Sequence, residues 1–323
     1  MKKLFLLFLA VVATVTVKAQ TIAVVAEDGS TSVYNTLQQA IEGAWDGSVI
    51  YLPGGGFPIP DSVKITKRLS IIGIGHKVKG ENADGYTTIQ GNLFFDKSSD
   101  YSSVMGTYIT GAVYIGNDGN EVDNVLVRYC NFDRMEVKNN KCRGTVVNQN
   151  YIRSKSNFNS ASAEFTNNIC HSINDLDNGV IANNILTSSF YINYDFGYRA
   201  IGNTDNTSIK YNIILNWQNG PHNGGNCLAS GNMGMGNWGD DPINVSGKSW
   251  TDIFVNHKGI TPASDYHFKG EYQKYNSLCG IYAGTGFSDS ALPPVPYIIS
   301  KDIPEQTDAQ GKLNIKIRVR AGE

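Results

Sequence analysis

The sequence predicts an all-β fold, a right-handed parallel β-helix (a solenoid) with a short N-terminal capping helix. Three observations predict it. An asparagine followed by apolar residues recurs through the middle of the chain, which indicates stacked units. The segments between copies hold short β-type runs and leave no room for a ten-residue helix. A helical apolar pattern comes just before the first such run, as a cap over an open solenoid end would.

The repeat is a column of asparagines separated by 19, 18, 16 and 28 positions: Asn131, Asn150, Asn168, Asn184 and Asn212. Self-similarity at this period predicts coils whose strands pair in parallel, about 4.8 Å apart along the axis. We expect the side-chain amides to form a hydrogen-bonded ladder at a bend. The isoleucines that follow, Ile169, Ile185 and Ile213, are expected to point inward as a stack.

The capping helix is expected within residues 33–45, where apolar residues recur at helical spacing. Asp46 and Gly47 end that pattern, and residues 48–52 form the first strand of the solenoid. The β-helix with its cap is therefore assigned to residues 20–296.

Near the other end, Leu313, Ile315, Ile317 and Val319 alternate with polar and basic residues, which predicts a half-buried strand with a basic outer face. A proline-rich stretch at 292–296 precedes it. Residues 297–323 form either a strand that caps the solenoid or a small appendage, and the sequence leaves both open.

The first nineteen residues have the layout of a secretory signal peptide. Lys2 and Lys3 precede a charge-free apolar run, and Ala19 completes a small-x-small cleavage site. We expect the mature chain to be secreted, whether extracellular, periplasmic or on the cell surface. A retained anchor is the alternative, and no later segment is apolar and long enough for membrane insertion.

The composition limits the classes of partner that we expect and bears on the role of the cysteines. The net charge is −2 and charged residues make up 17%, so no nucleic-acid partner is expected. The cysteines are odd in number, and we interpret them as apolar core fillers, with disulfide bonds as the alternative: Cys130, Cys142, Cys170, Cys227 and Cys279. The oligomeric state is left open.

Three segments resemble secreted members of the pectin-lyase-like superfamily of parallel β-helix proteins. They are the entry at residues 34–75, the asparagine coils, and residues 253–284, which resemble a closing coil. Together they span most of residues 30–290. The resemblance implies a polysaccharide or glycan ligand along the side of the solenoid. It does not decide the activity, because the superfamily holds lyases, hydrolases, epimerases and adhesins.

A basic band between residues 128 and 155 supplies the candidate catalytic residues, since a lyase needs cations beside a uronic carboxylate and a base. This hypothetical polyuronate groove is centred on Asp133, Arg134, Glu136, Arg143 and Arg153. The alternative is a solvated face whose charges screen one another.

Substrate-binding candidates come from the densest aromatic stretch, residues 190–199, and from a long loop at 216–242. Aromatic faces with polar edges suit stacking on sugar rings, and long loops in compact solenoids are often functional. These candidates are Tyr191, Tyr194, Tyr198, Trp217, His222, Trp238, Asp240 and Asp241.

Other chemistry has weaker support. Asp205 and the pair Asp240–Asp241 match two pieces of the superfamily's glycosidase pattern, but its remaining pieces are missing. No histidine spacing predicts a metal site, and a calcium ion, although possible in this fold, has no loop motif behind it, so no cofactor is expected.

The sequence thus predicts an exported β-helix that binds a polysaccharide along its side. Whether it also cleaves or modifies that polysaccharide, as a lyase or a hydrolase, is left open. The alternative is a non-catalytic carbohydrate-binding or surface-adhesion module, and a purely structural role is the third possibility.

Overall fold

The computed structural model describes residues 21–76, 85–187, 190–191, 198–215, 226–235, 239–284, 286–288, 292–294, 296–302, 310–312 and 316–320. It is an all-β parallel solenoid of about 8 turns, which confirms the predicted fold class. The predicted signal peptide lies outside the described residues.

Thirty-one strands and four short helices make up the described chain. The first strands are β1 (Ile22–Val25), β2 (Thr31–Tyr34), β3 (Val49–Tyr51), β4 (Gly55–Pro58), β5 (Ser70–Ile72), β6 (Thr87–Gln90), β7 (Leu93–Phe95), β8 (Ser103–Met105), β9 (Tyr108–Ile109) and β10 (Val113–Ile115). The central strands are β11 (Leu126–Arg128), β12 (Asn131–Phe132), β13 (Met135–Val137), β14 (Thr145–Asn148), β15 (Tyr151–Ala161), β16 (Ala163–Thr166), β17 (Ile169–Leu176), β18 (Val180–Ala182), β19 (Ile185–Leu186), β20 (Phe190–Tyr191), β21 (Tyr198–Arg199) and β22 (Ile201–Gly202). The remaining strands are β23 (Ser208–Lys210), β24 (Ile213–Ile214), β25 (Leu228–Ser230), β26 (Met233–Gly234), β27 (Ile243–Asn244), β28 (Phe254–Asn256), β29 (Asp265–Phe268), β30 (Tyr297–Asp302) and β31 (Lys316–Arg320). The helices are α1 (Leu37–Gly43), α2 (Trp250–Ile253) and two 3₁₀ helices (Asn117–Gly119 and Gly270–Tyr275).

Three parallel faces run along the solenoid. The first sheet has the order β2-β1-β3-β5-β8-β11-β14-β16-β18-β23-β25, parallel from β3 onward. The second sheet runs from β4 through β6, β9, β12, β15, β17, β19, β24 and β26 to β27. A third face, which we call the lateral sheet, is formed by β7, β10, β13, the later halves of β15 and β17, and β22.

The N-terminal end of the core is covered by β1 and α1. Thr36 is the N-cap of α1, and its hydroxyl accepts a hydrogen bond from the backbone N–H of Gln39 at 3.2 Å. Leu37, Ala40 and Ile41 are buried against the core. The predicted cap is present but shorter than the apolar pattern, because residues 31–34 form β2 instead of helix.

The asparagine ladder is present and fully buried at the bend between the first and second sheets. Each side-chain oxygen accepts the backbone N–H of the ladder residue one coil earlier at 2.8–3.0 Å. Each side-chain amide donates to a backbone carbonyl. The first four amides also donate to the side-chain oxygen of the next ladder residue. The members are Asn150, Asn168, Asn184, Asn212 and Asn232.

The predicted column was wrong at Asn131. Asn131 pairs with Tyr151 and with Tyr108, so the ladder position in its coil is the preceding residue, Cys130. The backbone N–H of Cys130 donates to the Asn150 side-chain oxygen at 2.9 Å, which extends the ladder by one hydrogen bond. The fifth asparagine of the ladder is Asn232 instead.

The residue before each ladder position has a left-handed backbone, and this explains the paired asparagines of the sequence. The φ angles are 59° at Gln149, 54° at Asn167 and 58° at Asn183. Asparagine tolerates this conformation better than most residues. In each Asn-Asn pair the first asparagine therefore turns the chain and the second joins the ladder.

The residues after the ladder were expected to point inward, and that prediction was wrong. Strand alternation directs Ile169, Ile185 and Ile213 to the outside of the second sheet. They are fully buried, but in a cluster with residues 250–287 and not in the solenoid core. The neighbours that face the core are Cys170, Leu186 and Ile214.

Residues 250–288, which we call the C-terminal strap, cover this outer apolar strip. Residues 253–284 within it were expected to form a closing coil, but α2, the antiparallel pair β28–β29 and a 3₁₀ helix pack on the outside of the bend. The side-chain amide of Asn167 donates to the carbonyls of Ile281 and Ala283 at 2.8 and 2.7 Å. The ladder bend is thus tied to a segment more than a hundred residues away.

A row of aspartates occupies the opposite bend, before the strands of the first sheet. Each accepts the backbone N–H of the residue one coil later at 2.7–2.8 Å: Asp46 from Arg68, Asp100 from Asp123, Asp123 from Arg143, and Asp177 from Asp205. These residues are exposed or only partly buried.

All five cysteines have free thiols. Burial raises the pKa of Cys130 to about 11 and that of Cys170 to about 12, so both stay protonated at pH 7. This agrees with their interpretation as core fillers.

Strands β30 and β31 form a separate antiparallel hairpin. The half-buried strand predicted there was wrong, because Ile317 and Val319 are 50% and 59% exposed; Leu313 and Ile315 lie outside the described residues. The reason is that β31 pairs with β30 alone among the described strands. The part of 297–323 that the structure describes is therefore a two-stranded ribbon.

Candidate functional site

The lateral sheet carries a column of outward-facing residues in consecutive coils, which we call the lateral column: Lys64, Phe94, Tyr114, Glu136, Asn157 and Asn174. Register places them side by side, with Tyr114 opposite both Phe94 and Glu136, and Asn157 opposite both Glu136 and Asn174. Neighbours in such a column lie about 4.8 Å apart. Cationic, aromatic, acidic and amide groups therefore succeed one another along the axis.

The aromatic members of the column are stacked. The rings of Phe94 and Tyr114 lie 4.7 Å apart with an interplanar angle of 8°. The ammonium of Lys64 lies 3.3 Å from the centre of the Phe94 ring, and that of Lys138 lies 5.1 Å from the Tyr114 ring. Cations thus contact the rings of this pair, in the geometry of cation–π interactions.

Glu136 lies between two cations. Arg134 donates to its carboxylate at 2.5 Å and Lys138 also bonds to it, while Arg134 contacts Asp133 at 3.0 Å and the Tyr114 hydroxyl at 2.9 Å. Partial burial raises the pKa of Glu136, but the hydrogen bonds from Lys138 and Arg134 outweigh it and lower the pKa. The hydrogen bond to Glu136 also raises the Arg134 pKa. Both groups are charged at pH 7.

An open depression of about 230 Å³ adjoins Glu136 and is lined by Glu136, Val137, Lys138, Asn157 and Asn159. A bulge in β15 shapes its edge, where Asn159 and Ser160 have φ angles of 50° and 63°. Asparagine tolerates this conformation, whereas it costs energy at a serine. The depression offers a carboxylate, an ammonium and amides, which can both donate to and accept from sugar hydroxyls.

Two further titratable residues, His171 and Asp175, lie one to two coils further along the solenoid axis. Burial, and then the charge of Lys155, lower the pKa of His171, so its imidazole is neutral at pH 7. Burial raises the pKa of Asp175. The chain leaves its coil at Thr187, which donates to the Cys170 carbonyl, and returns at Ala200, which accepts from Ile173. His171 therefore lies at the root of the β20–β21 hairpin.

The predicted catalytic set divides into two groups. Asp133, Arg134 and Glu136 lie together at the start of β13 in the lateral sheet. Arg153 lies across the corner from them, where its guanidinium donates to Asn131 at 2.6 Å and to the carbonyls of Ile109 and Thr110. The two sides are linked by a hydrogen bond of 2.9 Å from the Ser154 hydroxyl to Asp133.

Arg143 belongs to a different region. It follows the turn after β13 and precedes β14 of the first sheet. Its guanidinium donates to the carbonyls of Asn140 and Cys142 in its own turn, at 2.6 and 2.9 Å. These contacts hold it away from Arg134 and Glu136, so the five residues do not form one cluster by direct contact.

The predicted substrate-binding residues are only partly within the described chain. Asp240 and Asp241 are exposed at the last coil, where Asp240 pairs with Ser230 of the first sheet and not with the lateral sheet. Tyr191 and Tyr198 are backbone partners in the antiparallel pairing of β20 with β21. Tyr194, Trp217, His222 and Trp238 lie outside the described residues.

Five members of the column were not predicted from the sequence, and neither was His171: Lys64, Phe94, Tyr114, Asn157 and Asn174. Their residue types differ and their spacings are uneven, so nothing in the one-dimensional pattern marks them. Only strand register identifies them, because it aligns positions that are 17 to 30 residues apart in the sequence.

Among the described residues, no group of three or more His, Cys, Asp or Glu side chains could hold a metal ion. Within the same residues, no helix has the length and apolarity needed to cross a membrane.

Comparisons with known proteins add no relative: no family model, no curated protein and no solved structure matches this chain.

Proposed function

We propose that this chain is an exported protein that binds an acidic polysaccharide along the lateral column. The observation that carries the proposal is the register of that column, which aligns Lys64, two stacked aromatic rings, Glu136 and two amides in successive coils. A ligand made of repeating sugars could contact several coils at once. The resemblance to the pectin-lyase-like superfamily supports the same class of ligand.

Charge favours an acidic ligand over a neutral one. Lys64, Arg134, Lys138 and Lys155 lie on or beside the column. Two of them, Arg134 and Lys138, are offset by the carboxylates of Asp133 and Glu136 through direct hydrogen bonds. The cations that remain can attract uronate or sulfate groups, and aromatic rings supply apolar contact with sugar faces.

Binding without turnover is the first form of the proposal, because Arg134 is already engaged by Asp133 and Glu136. Cleavage is the second candidate, favoured by His171. A neutral imidazole beside Lys155 could accept a proton next to a uronate carboxylate. The same region would then hold both the base and the cation that an elimination needs.

The test of binding uses residues 20–323 and a panel of polyuronates, sulfated glycans and neutral glycans, measured by calorimetry. Arg134→Gln is expected to weaken binding of the acidic glycan about tenfold, because Asp133 and Glu136 lose the cation that pairs with them and then repel the ligand. Arg143→Gln is the matched control and should change affinity by less than about twofold. Equal losses in both variants would argue against a site on the lateral column.

The test of cleavage is product analysis on the same panel. Unsaturated oligosaccharides, absent with His171→Gln and present with the control His267→Gln, would establish an elimination at His171. Saturated fragments would indicate hydrolysis. Intact glycans that nevertheless bind would leave the non-catalytic module as the function.

A further inference from the structure

We infer that Lys64 determines the ligand specificity of the lateral column by covering the aromatic face of Phe94 until an acidic group draws it away. The inference rests on the proposed function and deepens it, because it says how acidic and neutral sugars would be told apart. It concerns a residue that lies two coils from Tyr114 and three from Glu136.

Backbone hydrogen bonds fix the position of Lys64. The neighbouring residue Ile65 pairs in parallel with Phe95, its N–H donates to the Phe94 carbonyl at 2.8 Å, and its carbonyl accepts from Asp96 at 2.9 Å. Lys64 and Phe94 are therefore opposite each other on the outer surface. The lysine begins the column, and its long side chain can reach along the axis.

Both faces of the Phe94 ring are occupied. One face stacks on Tyr114, and the Lys64 ammonium lies 3.3 Å from the ring centre. Phe94 points outward, yet it is only 9% exposed. A sugar ring can stack on Phe94 only if the lysine side chain leaves that face.

Displacing the Lys64 side chain has different consequences for the two kinds of sugar. A neutral ring would give up the cation–π contact and gain a stacking contact, with no new partner for the ammonium. An acidic ring would gain the same stacking contact, and its carboxylate or sulfate could pair with the displaced ammonium. Lys64 therefore disfavours neutral glycans and favours acidic ones at the same position.

The test compares one polyuronate with the same polymer after its carboxyl groups have been methyl-esterified, so that the ligand charge is removed. Wild type is expected to bind the acidic polymer at least about tenfold more tightly. With Lys64→Ala, affinity for the acidic polymer should fall and affinity for the ester should rise. The ratio of the affinity for the acidic polymer to the affinity for the ester should therefore drop at least about fivefold. Lys64→Arg should keep the wild-type preference.

Two control variants test whether the effect of Lys64→Ala comes from uncovering the Phe94 ring. Lys97→Ala removes an exposed lysine nearby and should leave the ratio unchanged. In the double variant Lys64→Ala with Phe94→Leu, the gain for the ester should disappear, because the uncovered ring is gone. Circular dichroism of each variant checks that the solenoid has folded.

The outcomes separate the two claims. If wild type prefers the acidic polymer and Lys64→Ala keeps the full preference, the role of Lys64 is overturned and the binding proposal stands. If wild type binds both polymers equally, Lys64 is likewise not a selector. If wild type and both Lys64 variants bind neither polymer, the proposed function fails, and the Lys64 inference fails with it.

Discussion

The two bends of the solenoid use related side chains in different ways. At one bend, buried asparagines from Asn150 to Asn232 bond to each other from coil to coil. At the other, aspartates such as Asp123 and Asp177 accept backbone N–H groups and face solvent. An amide both donates and accepts, so a stack of amides satisfies itself without water. A carboxylate only accepts and carries charge, so it must stay near water.

The largest expected effect comes from placing a carboxylate in the buried ladder. Asn184→Asp loses the donors to the Phe165 carbonyl and to Asn212, and leaves a buried charge. We expect the free energy of unfolding to fall by about 3–5 kcal/mol at pH 7, measured by urea titration. Burial would raise the folded-state pKa of the new carboxyl, so the loss should shrink as the pH falls towards 4.

A loss under about 1 kcal/mol would mean that the ladder is not held by its amides. Asn184→Leu is the companion variant, because it removes the hydrogen bonds without adding charge, and its loss should not depend on pH.

The next effect concerns the first asparagine of a pair. Asn167→Gly keeps the left-handed backbone and removes the side-chain hydrogen bonds to the carbonyls of Ile281 and Ala283. Those buried carbonyls lose partners, so we expect about 1–3 kcal/mol of lost stability. Limited proteolysis should then cut within the strap before it cuts the coils. Cleavage that begins in the coils would contradict the assigned role of Asn167.

A smaller effect is expected at the aspartate bend. Asp123→Asn keeps an oxygen that can accept the N–H of Arg143 and removes one partly exposed charge. The change in unfolding free energy should stay within about 0.5 kcal/mol. A loss as large as that of Asn184→Asp would show that the two bends do not differ as described.

The smallest effect on the free energy of unfolding is expected at Asp175, and here the substitution should stabilise the fold instead of destabilising it. Burial raises the folded pKa of this carboxyl, so the fold is stabilised by its protonation and loses stability as the pH rises through that pKa. Asp175→Asn removes the charge, and asparagine suits the φ of 54°. The urea midpoint should rise slightly at pH 7 and match wild type at pH 3. A lower midpoint at pH 7 would contradict this.

The sequence was sufficient for the fold class because the asparagine pairs are local and nearly identical. Four of the five predicted ladder positions are confirmed, and the fifth was wrong by one residue because Cys130 takes the place of an asparagine. The inward stack was wrong for a different reason. Ile169 and its neighbours are covered by a segment that lies far away in the chain, and no local pattern records that contact.

The candidate site was less accessible to sequence reasoning. Asp133, Arg134 and Glu136 are adjacent in sequence, so their cluster was predictable, and its function stays a prediction. Lys64 and Tyr114 come from other coils of unequal length. Their alignment depends on strand register, which uneven spacing and the bulges of β15 conceal.

The strap also has a consequence for how the molecule unfolds. In a solenoid each repeat contacts only its neighbouring repeats, so one part of the array can unfold before the rest. Here one segment bonds to Tyr211, Asn183, Asn167 and Gln149, and Pro293 beyond it packs close to Gly106. Local opening of one coil therefore also breaks contacts through which the strap connects several coils. We therefore expect the strap to make the coils from Gln149 to Tyr211 unfold as one cooperative unit.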